Sequence, residues 1–509
     1  MNHLEEQKKI AKNTVFLYIR MIVVMFVALY TSRVVLDKLG VEDYGIYNIV
    51  GGVVVSFTFI KNSLMSATQR FISFSKGENN NLCSSVFSMS INVHLIILII
   101  VIVVLETAGL WLFNNVIQIP DIRRDAASLV YQFSVFTFCF NLLQVPYSSL
   151  IISNEKMTIY AVLSIVDAGL KLLIAYLLIT AQNMDKLVYY SIMMLLVTII
   201  QFIINSVYCY IRLHNDCIYK LIWNKSLFKE MMSFSSWNLV GGLSGVATTE
   251  GPNYFINYYL GVRANAAMGI AKQVSNTVYG FSSNFQTAFN PQIVKAYASN
   301  DYRYLYDLVF RTSKLSFLLD YVVTLPLVIC CNDVLDMWLT IIPEYTISFC
   351  VLILFGQIIS SVSSPFWMAA HAIGDIKNYQ LVLVLLNLSL IPSAWLIMSF
   401  GWEPECILGY QILINIIVLI YRVDYLKRKL NFPSKRYYKE VILKCCVIVF
   451  ILSYPICYVV SLFLSGVWKI ILTTIVSILV TMALFYFVGL NVEERLFFRN
   501  LLDRKFNRE

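Results

Sequence analysis

Apolar runs of about 20 residues recur along the whole chain and are separated by short polar breaks. Each run is long enough to cross the hydrocarbon core of a bilayer as one α-helix. The composition agrees, because 59% of the 509 residues are hydrophobic and only 14% are charged, with a mean hydropathy of +0.71. Backbone polar groups in lipid must be satisfied internally, which continuous apolar runs achieve as helices. The sequence therefore predicts an all-α polytopic membrane protein.

Counting the runs predicts about 14 transmembrane helices. No connecting loop exceeds about 20 residues, which leaves no room for a folded domain outside the membrane. The predicted spans are 14–36, 44–66, 84–112, 126–152, 157–180, 188–211, 231–258, 265–290, 306–331, 344–369, 377–400, 405–426, 440–463 and 468–490.

Lys and Arg alternate between the connecting segments as the positive-inside rule requires. With the N-terminus in the cytoplasm, the basic segments fall on the cytoplasmic side, and 427–439 is the densest of them. The opposite side receives neutral or acidic segments, such as those containing Glu42 and Asp333. The alternation predicts that both termini are cytoplasmic. It also accounts for the net charge of +9 without a nucleic-acid partner.

Cysteine and histidine show no spacing typical of metal binding or catalysis. Most of the 11 cysteines lie inside apolar runs without a C-x-x-C pair, which is typical of buried, inert thiols. The four histidines form no H-x-x-H pair, and His94 stands alone in an apolar run. We therefore expect neither a metal site nor an enzyme.

The phrase Leu-Gly-Val occurs at Leu39 and again at Leu260, each time at a junction between two apolar runs. A shift of 221 residues superposes these junctions and the polar stretches that follow them. Six spans per half is an even number, so the repeat predicts two pseudo-symmetric six-helix lobes of equal orientation around a central cavity. Gly40 and Gly261 would supply tight turns, since glycine tolerates a positive φ.

The repeat divides the chain into five predicted segments. Residues 1–212 form the N-terminal lobe, 213–230 a cytoplasmic inter-lobe loop, and 231–427 the C-terminal lobe. Residues 428–490 add spans 13 and 14, and 491–509 form a cytoplasmic tail.

Predicted span eight carries a polar stripe at helical spacing. Two interpretations apply, a water-filled cavity or a hydrogen-bonded helix interface, and a lysine among asparagines favours the cavity. The stripe consists of Asn265, Lys272, Asn276, Tyr279, Ser283, Thr287 and Asn290.

Spans one and two add cations and a weaker stripe. Arg20 and Arg33 lie on span one, where either could bind a substrate in a cavity or anchor the helix at a membrane edge. Asn62 belongs to the stripe of span two, whereas Lys61 lies off it and could equally extend to the membrane surface.

Three acidic residues lie inside predicted spans. Glu250 adjoins Pro252, which must kink or break its helix, so Glu250 could bind a cation there or pair with Lys272. Asp320 lacks an evident local partner and is a second candidate for ion coupling. Asp167 is expected to pair with Lys171 four residues later.

The N-terminal stretches KKIAKNTVFLYIRMIV, SRVVLDKLGVEDYGIYNIVGG and NSLMSATQRFIS resemble the start of Wzx-type polysaccharide flippases. This family belongs to the multidrug/oligosaccharidyl-lipid/polysaccharide exporter superfamily. Length, topology and the two-lobe repeat extend the resemblance over essentially the whole chain.

The resemblance implies a non-enzymatic flippase of the bacterial plasma (inner) membrane. Its substrate would be an undecaprenyl-pyrophosphate-linked oligosaccharide, moved from the inner to the outer leaflet by alternating access for O-antigen, capsule or exopolysaccharide synthesis. No cofactor is implied, Na⁺ or H⁺ is the candidate coupling ion, and membrane lipids and other polysaccharide-assembly proteins are the candidate partners. The implied cationic site comprises Arg20, Arg33, Lys61 and Lys272, and the sugar-facing polar residues are Asn62, Asn276, Ser283 and Thr287.

Rival functions make different demands on the sequence. An ion-coupled small-molecule exporter of the same superfamily would favour an acidic cavity and about 12 spans. A membrane enzyme would need a catalytic base or a large outer loop, and the sequence offers neither.

Overall fold

The computed structural model describes residues 3–78, 83–154, 156–180, 184–220, 223–373, 376–491 and 494–495. These residues are almost entirely helical and contain no strand. Ten helical segments are long and apolar enough to cross a membrane, and they coincide with ten of the predicted spans. The all-α polytopic architecture is therefore confirmed. The ten segments are Cys83–Asn115, Asp121–Ser153, Met157–Leu178, Lys186–Arg212, Tyr302–Ile329, Thr346–Ile373, Asn378–Ser399, Glu405–Leu430, Ser434–Leu462 and Gly466–Gly489.

The α-helices are numbered in chain order. The first twelve are α1 His3–Val55, α2 Thr58–Glu78, α3 Cys83–Val104, α4 Leu110–Asn115, α5 Arg124–Leu143, α6 Val145–Ser153, α7 Met157–Thr180, α8 Lys186–Arg212, α9 His214–Cys217, α10 Lys225–Thr249, α11 Gly251–Leu260 and α12 Val262–Ala298. The remaining nine are α13 Tyr302–Ile329, α14 Cys331–Trp338, α15 Thr346–Ile373, α16 Ile376–Leu388, α17 Leu390–Ser399, α18 Glu405–Leu430, α19 Ser434–Tyr437, α20 Val449–Leu462 and α21 Gly466–Leu484.

Several of the predicted spans are interrupted, and two of these breaks lie beside candidate site residues. Span 44–66 is not one helix, because α1 ends at Val55 and α2 begins at Thr58. The backbone tightens there, with the N–H of Phe57 donating to the carbonyl of Val54. Span 231–258 breaks at Glu250, between α10 and α11, beside the proline that predicted the break.

The chain forms two compact units. The first comprises Met1–Gly269, Leu339–Glu344 and Asn387–Gly401, and the second Ile270–Trp338, Tyr345–Leu386 and Trp402–Glu509. The predicted lobe boundaries remain a prediction, and most of the predicted tail 491–509 lies outside the described residues.

Both Leu-Gly-Val phrases make the same backbone turn within the first unit. Gly40 has φ 80° and ψ 171°, and Gly261 has φ 77° and ψ −172°. A side chain is strained at such positive φ values, so glycine is the residue that fits. The predicted tight turns are confirmed.

The helix starts that follow these turns cross closely in the first unit. A Cβ on Gly45 would lie 1.9 Å from the carbonyl oxygen of Val262, and one on Gly269 would lie 2.7 Å from the Asn48 side chain. Asn48 and Gly269 are themselves 221 residues apart, so the crossing joins positions that the repeat makes equivalent. This contact supports a local two-fold relation between the two phrases.

Candidate functional site

A cavity of about 480 Å³ lies within the first unit, among α1, α2, α5, α6, α7 and α8. Its volume falls within the range of about 300–1,000 Å³ usual for small-molecule sites. Three cationic side chains line it, from Arg20, Lys61 and Lys171, against one carboxylate, from Asp167. We call it the cationic cavity.

Arg20 and Lys61 enter the cationic cavity from α1 and α2. The guanidinium of Arg20 stacks over the ring of Tyr160, 4.9 Å from its centroid, and its buried Nε atom has no hydrogen-bond partner among the residues that the structure describes. The Nζ atom of Lys61 donates to Oδ1 of Asn141 over 3.2 Å. The structure thus places Lys61 in a cavity, which was one of its two predicted roles. Its neighbour Asn62 lines the same cavity.

Asp167 and Lys171 form the predicted ion pair on α7. Oδ2 of Asp167 accepts from Nζ of Lys171 at 2.7 Å, and the side chains remain 34% and 40% exposed. Both residues line the cationic cavity, so the pair faces the space where a ligand would bind.

Neutral polar side chains that were not predicted as site residues cover two walls of the cationic cavity. On α8 they are Thr198, Gln201 and Asn205. The buried Nε2 atom of Gln201 has no hydrogen-bond partner in the described part of the chain. The consecutive helices α5 and α6, with the residue that joins them, contribute four more, Thr137, Asn141, Gln144 and Ser148. Both sets recur every three or four residues, a helical spacing by which the sequence could have revealed them.

An adjoining pocket of about 190 Å³ shares Lys61, Thr137 and Asn141 with the cationic cavity. Its other lining residues are mostly apolar, with Val54 and Phe138 among them. Lys61 therefore stands between a polar and a largely apolar compartment of the first unit.

Arg33 does not line the cationic cavity. It lies 13 residues beyond Arg20 on α1, which is about 20 Å along a helix, and interacts electrostatically with Asp37. The structure therefore does not bring the two predicted arginines to one ligand position in the first unit.

The part of the predicted α12 stripe that follows Ile270 lies in the second unit. Lys272 and Ser283 are half-buried, and Asn276 is exposed. The side chain of Thr287 lies outside the described residues. Gln286, at the stripe's edge, is instead buried, and its Nε2 atom donates to Oγ of Ser316 and to the carbonyl of Ser361.

Glu250 lies buried in the first unit at the break between α10 and α11. It faces α1, where a Cβ on Gly52 would lie 3.3 Å from Oε2 of Glu250 and 3.6 Å from Nδ2 of Asn253. Nearby, the hydroxyls of Ser56 and Tyr254 share a hydrogen bond of 3.0 Å. The broken helix thus presents a carboxylate and several polar groups, an arrangement that can bind a cation or a proton.

A buried asparagine network lies beside this break. Nδ2 of Asn257 donates to Oδ1 of Asn265 over 2.7 Å, and Nδ2 of Asn265 donates to Oδ1 of Asn253 over 2.7 Å. Asn257 also accepts from the backbone N–H of Gln118. Asn265, predicted as part of a ligand stripe, is therefore used to fix α11 against α12 in the first unit.

Asp320 is completely buried in α13 of the second unit. The hydroxyls of Ser282 and Ser361 lie beside it but donate to the carbonyls of Tyr279 and Ile358. Neither carboxyl oxygen of Asp320 has a hydrogen-bond partner among the described residues. Within the described residues Asp320 thus differs from Asp167, which is paired with a lysine.

The chemistry available in the first unit is that of anion recognition. Arg and Lys donors surround the cationic cavity, and amide and hydroxyl groups supply donors and acceptors for a neutral polar ligand part. Among the described residues, no group of three His, Cys, Asp or Glu side chains is placed to hold a metal ion.

No protein-family model matches the chain, and no curated protein sequence matches it. Solved structures do match. A lipid II flippase MurJ in an inward closed conformation has a TM-score of 0.72 at 14% identity, covering 97% of this chain and all of that one.

Two further similar structures belong to the MOP superfamily. An inward-facing multidrug resistance MATE family transporter has a TM-score of 0.63 at 12% identity, covering 82% of this chain and 96% of that one. A transporter from Pyrococcus furiosus, described by the reverse polarity of its binding pocket, has a TM-score of 0.57 at 12% identity, covering 84% and 96%. At these identities the likeness shows the fold alone, so the chain is a multi-pass membrane protein with the fold of MOP-superfamily transporters.

Proposed function

We propose that this protein flips an undecaprenyl-pyrophosphate-linked oligosaccharide from the inner to the outer leaflet of the bacterial plasma membrane, for surface polysaccharide synthesis. The observation that supports this proposal is the cationic cavity. A pyrophosphate cannot enter hydrocarbon without cationic partners, and Arg20 and Lys61 provide them within one cavity. The likeness to a lipid II flippase over the whole chain supports the same class of substrate.

The neutral polar walls fit the saccharide part of such a substrate. Sugar hydroxyls need donors and acceptors once they leave water, and the side chains of Gln144, Thr198 and Asn205 offer both. The polyprenyl tail would stay in lipid during alternating access. Lys272, Asn276, Ser283, Thr287 and Arg33 remain proposed substrate-binding residues.

Leaflet-resolved labelling of the lipid-linked oligosaccharide tests this function. Depletion of the protein should leave the oligosaccharide on the cytoplasmic side and remove the outer-leaflet form. An unchanged outer-leaflet pool after depletion would refute the proposal.

Arg20→Ala provides the residue-level test. Loss of the cation that stacks on Tyr160 should lower outer-leaflet labelling at least tenfold at equal protein level, since a hydrogen bond between charged groups is worth about 1.5–3 kcal/mol. Arg212→Ala removes an exposed arginine at the end of α8 and should keep wild-type labelling. Equal labelling in both variants would exclude Arg20 from the substrate site.

An ion-coupled exporter of small molecules is the second candidate, because the chain also has the fold of multidrug transporters. Glu250 and Asp320 would then couple transport to Na⁺ or H⁺, a role they could equally hold in a flippase. Export of a fluorescent organic cation by cells containing the protein, with normal lipid-linked oligosaccharide, would favour this candidate. The cations of the cavity argue against a cationic substrate.

A further inference from the structure

We propose that Asp167 is a built-in competitor that occupies Lys171 when the cationic cavity is empty and makes way for the second phosphate of the ligand. The inference rests on the proposed function, because it assigns a role to a residue within the same site. The competition from Asp167 also limits the affinity for the ligand, because a carrier must bind its ligand weakly enough to release it.

The arrangement of charges leads to this role. Arg20 stacks on an aromatic ring and Lys61 donates to a neutral amide, so both remain available to an anion. Lys171 instead has an internal carboxylate partner at 2.7 Å. All four charged groups line one cavity, and Lys61 lies within electrostatic range of Lys171 and Asp167. Lys171 is thus a third cation of the cavity, and Asp167 is the anion that pairs with it when no ligand is bound.

The solvent exposure of Asp167 and Lys171 allows Lys171 to exchange Asp167 for a ligand phosphate. Both members of the pair remain more than a third exposed, so their mutual attraction is screened by solvent and is readily replaced. A monophosphate can be held by Arg20 and Lys61 while the pair stays intact. A pyrophosphate adds a second phosphate, which in this proposal takes Lys171 as its partner and leaves Asp167 beside another negative charge.

Asp167→Asn distinguishes the two phosphate probes. It removes the competing negative charge but keeps a polar side chain, so the variant should bind farnesyl pyrophosphate about two- to fivefold more tightly, the worth of an exposed ion pair. The gain should appear as slower dissociation. Farnesyl monophosphate should bind with nearly wild-type affinity.

The experiment measures binding of both farnesyl probes to the purified full-length protein in lipid nanodiscs. The matched control is Asp125→Asn, which removes an exposed carboxylate from the first turn of α5, outside the cavity, and should leave both affinities unchanged. Unfolding temperatures verify that each variant is folded.

Lys171→Gln supplies the second test. It should lose the preference for pyrophosphate over monophosphate, and adding Asp167→Asn to it should then bring no further tightening. Wild-type affinity or weaker binding in Asp167→Asn alone would overturn the inference while leaving the flippase proposal intact. Failure of the wild-type protein to bind either probe would instead overturn the anion site itself.

Discussion

Gly52 shows how a residue without a side chain determines the surroundings of a charged one. Its missing Cβ leaves room for the carboxylate of Glu250, which is only 8% exposed. The neighbouring Gly51 has no such contact, because a Cβ there would meet no atom within 4 Å. The two glycines therefore form a natural pair for testing whether Glu250 needs this space.

Gly51→Ala should raise the free energy of unfolding by about 0.5–1 kcal/mol, since alanine loses less conformational entropy in a helix. Gly52→Ala should instead lower it by about 1 kcal/mol, because the added methyl group crowds a buried carboxylate. Thermal unfolding in detergent measures both variants. An equal rise in both would show that Glu250 moves away without cost.

Arg123 connects three elements of the first unit. Its guanidinium donates to both oxygens of Asp43, in α1 just after the Gly40 turn, and to Asp185, which caps α8. Burial would raise the pKa of the Asp185 carboxyl, but hydrogen bonds from Arg123 and from the N–H groups of Val188 and Leu187 outweigh it. That pKa therefore lies below its usual range. The contacts of Arg123 with Asp43 and Asp185 fix the N-terminal end of α8, which lines the cationic cavity.

Asp185→Asn keeps a helix-capping side chain but removes the charge. Because the folded-state pKa is lowered, the carboxylate stabilises the fold above its unfolded pKa of about 3.9, and this contribution is lost as pH falls through the folded value. Wild type should thus exceed the variant by up to about 1 kcal/mol at pH 7, a value limited by solvent screening. Unfolding temperatures between pH 7 and pH 3 should converge, and a pH-independent difference would contradict the assignment.

The predicted orientation of the molecule in the membrane rests on the alternation of charge between its connecting segments. Cysteine exposure offers a direct measurement, because Cys406 is exposed while the other ten cysteines are buried or half-buried. Cys406 lies at the start of α18, in a segment that the positive-inside rule assigns to the outer side.

An impermeant maleimide added to intact cells should label the wild-type protein at Cys406, and Cys406→Ser should abolish the label. In that background, Lys225→Cys, at the start of α10, should be labelled only after the membrane is permeabilised. The reverse pattern would place the N-terminus outside the cytoplasm.

The sequence by itself determined the class of fold and several local features. Runs of apolar residues longer than a bilayer requires leave the helix as the only way to satisfy the backbone, so ten predicted spans recur as helices. Gly40, Gly261, Pro252 and the Asp167–Lys171 pair were equally predictable, because each depends on residues within one helical turn.

Only the tertiary structure decided which polar residues meet. The role of Lys61 could not be predicted from its angular position on span 44–66, because the helix breaks after Val55 and α2 continues at a different angle. The polar face of α8 lines a cavity together with helices distant in sequence. Asn265 contacts Asn253 and Asn257 of the preceding helix across the turn at Gly261. Helix periodicity defines a face, but the packing partner decides whether that face lines a cavity or a hydrogen-bonded contact, and no local pattern carries that information.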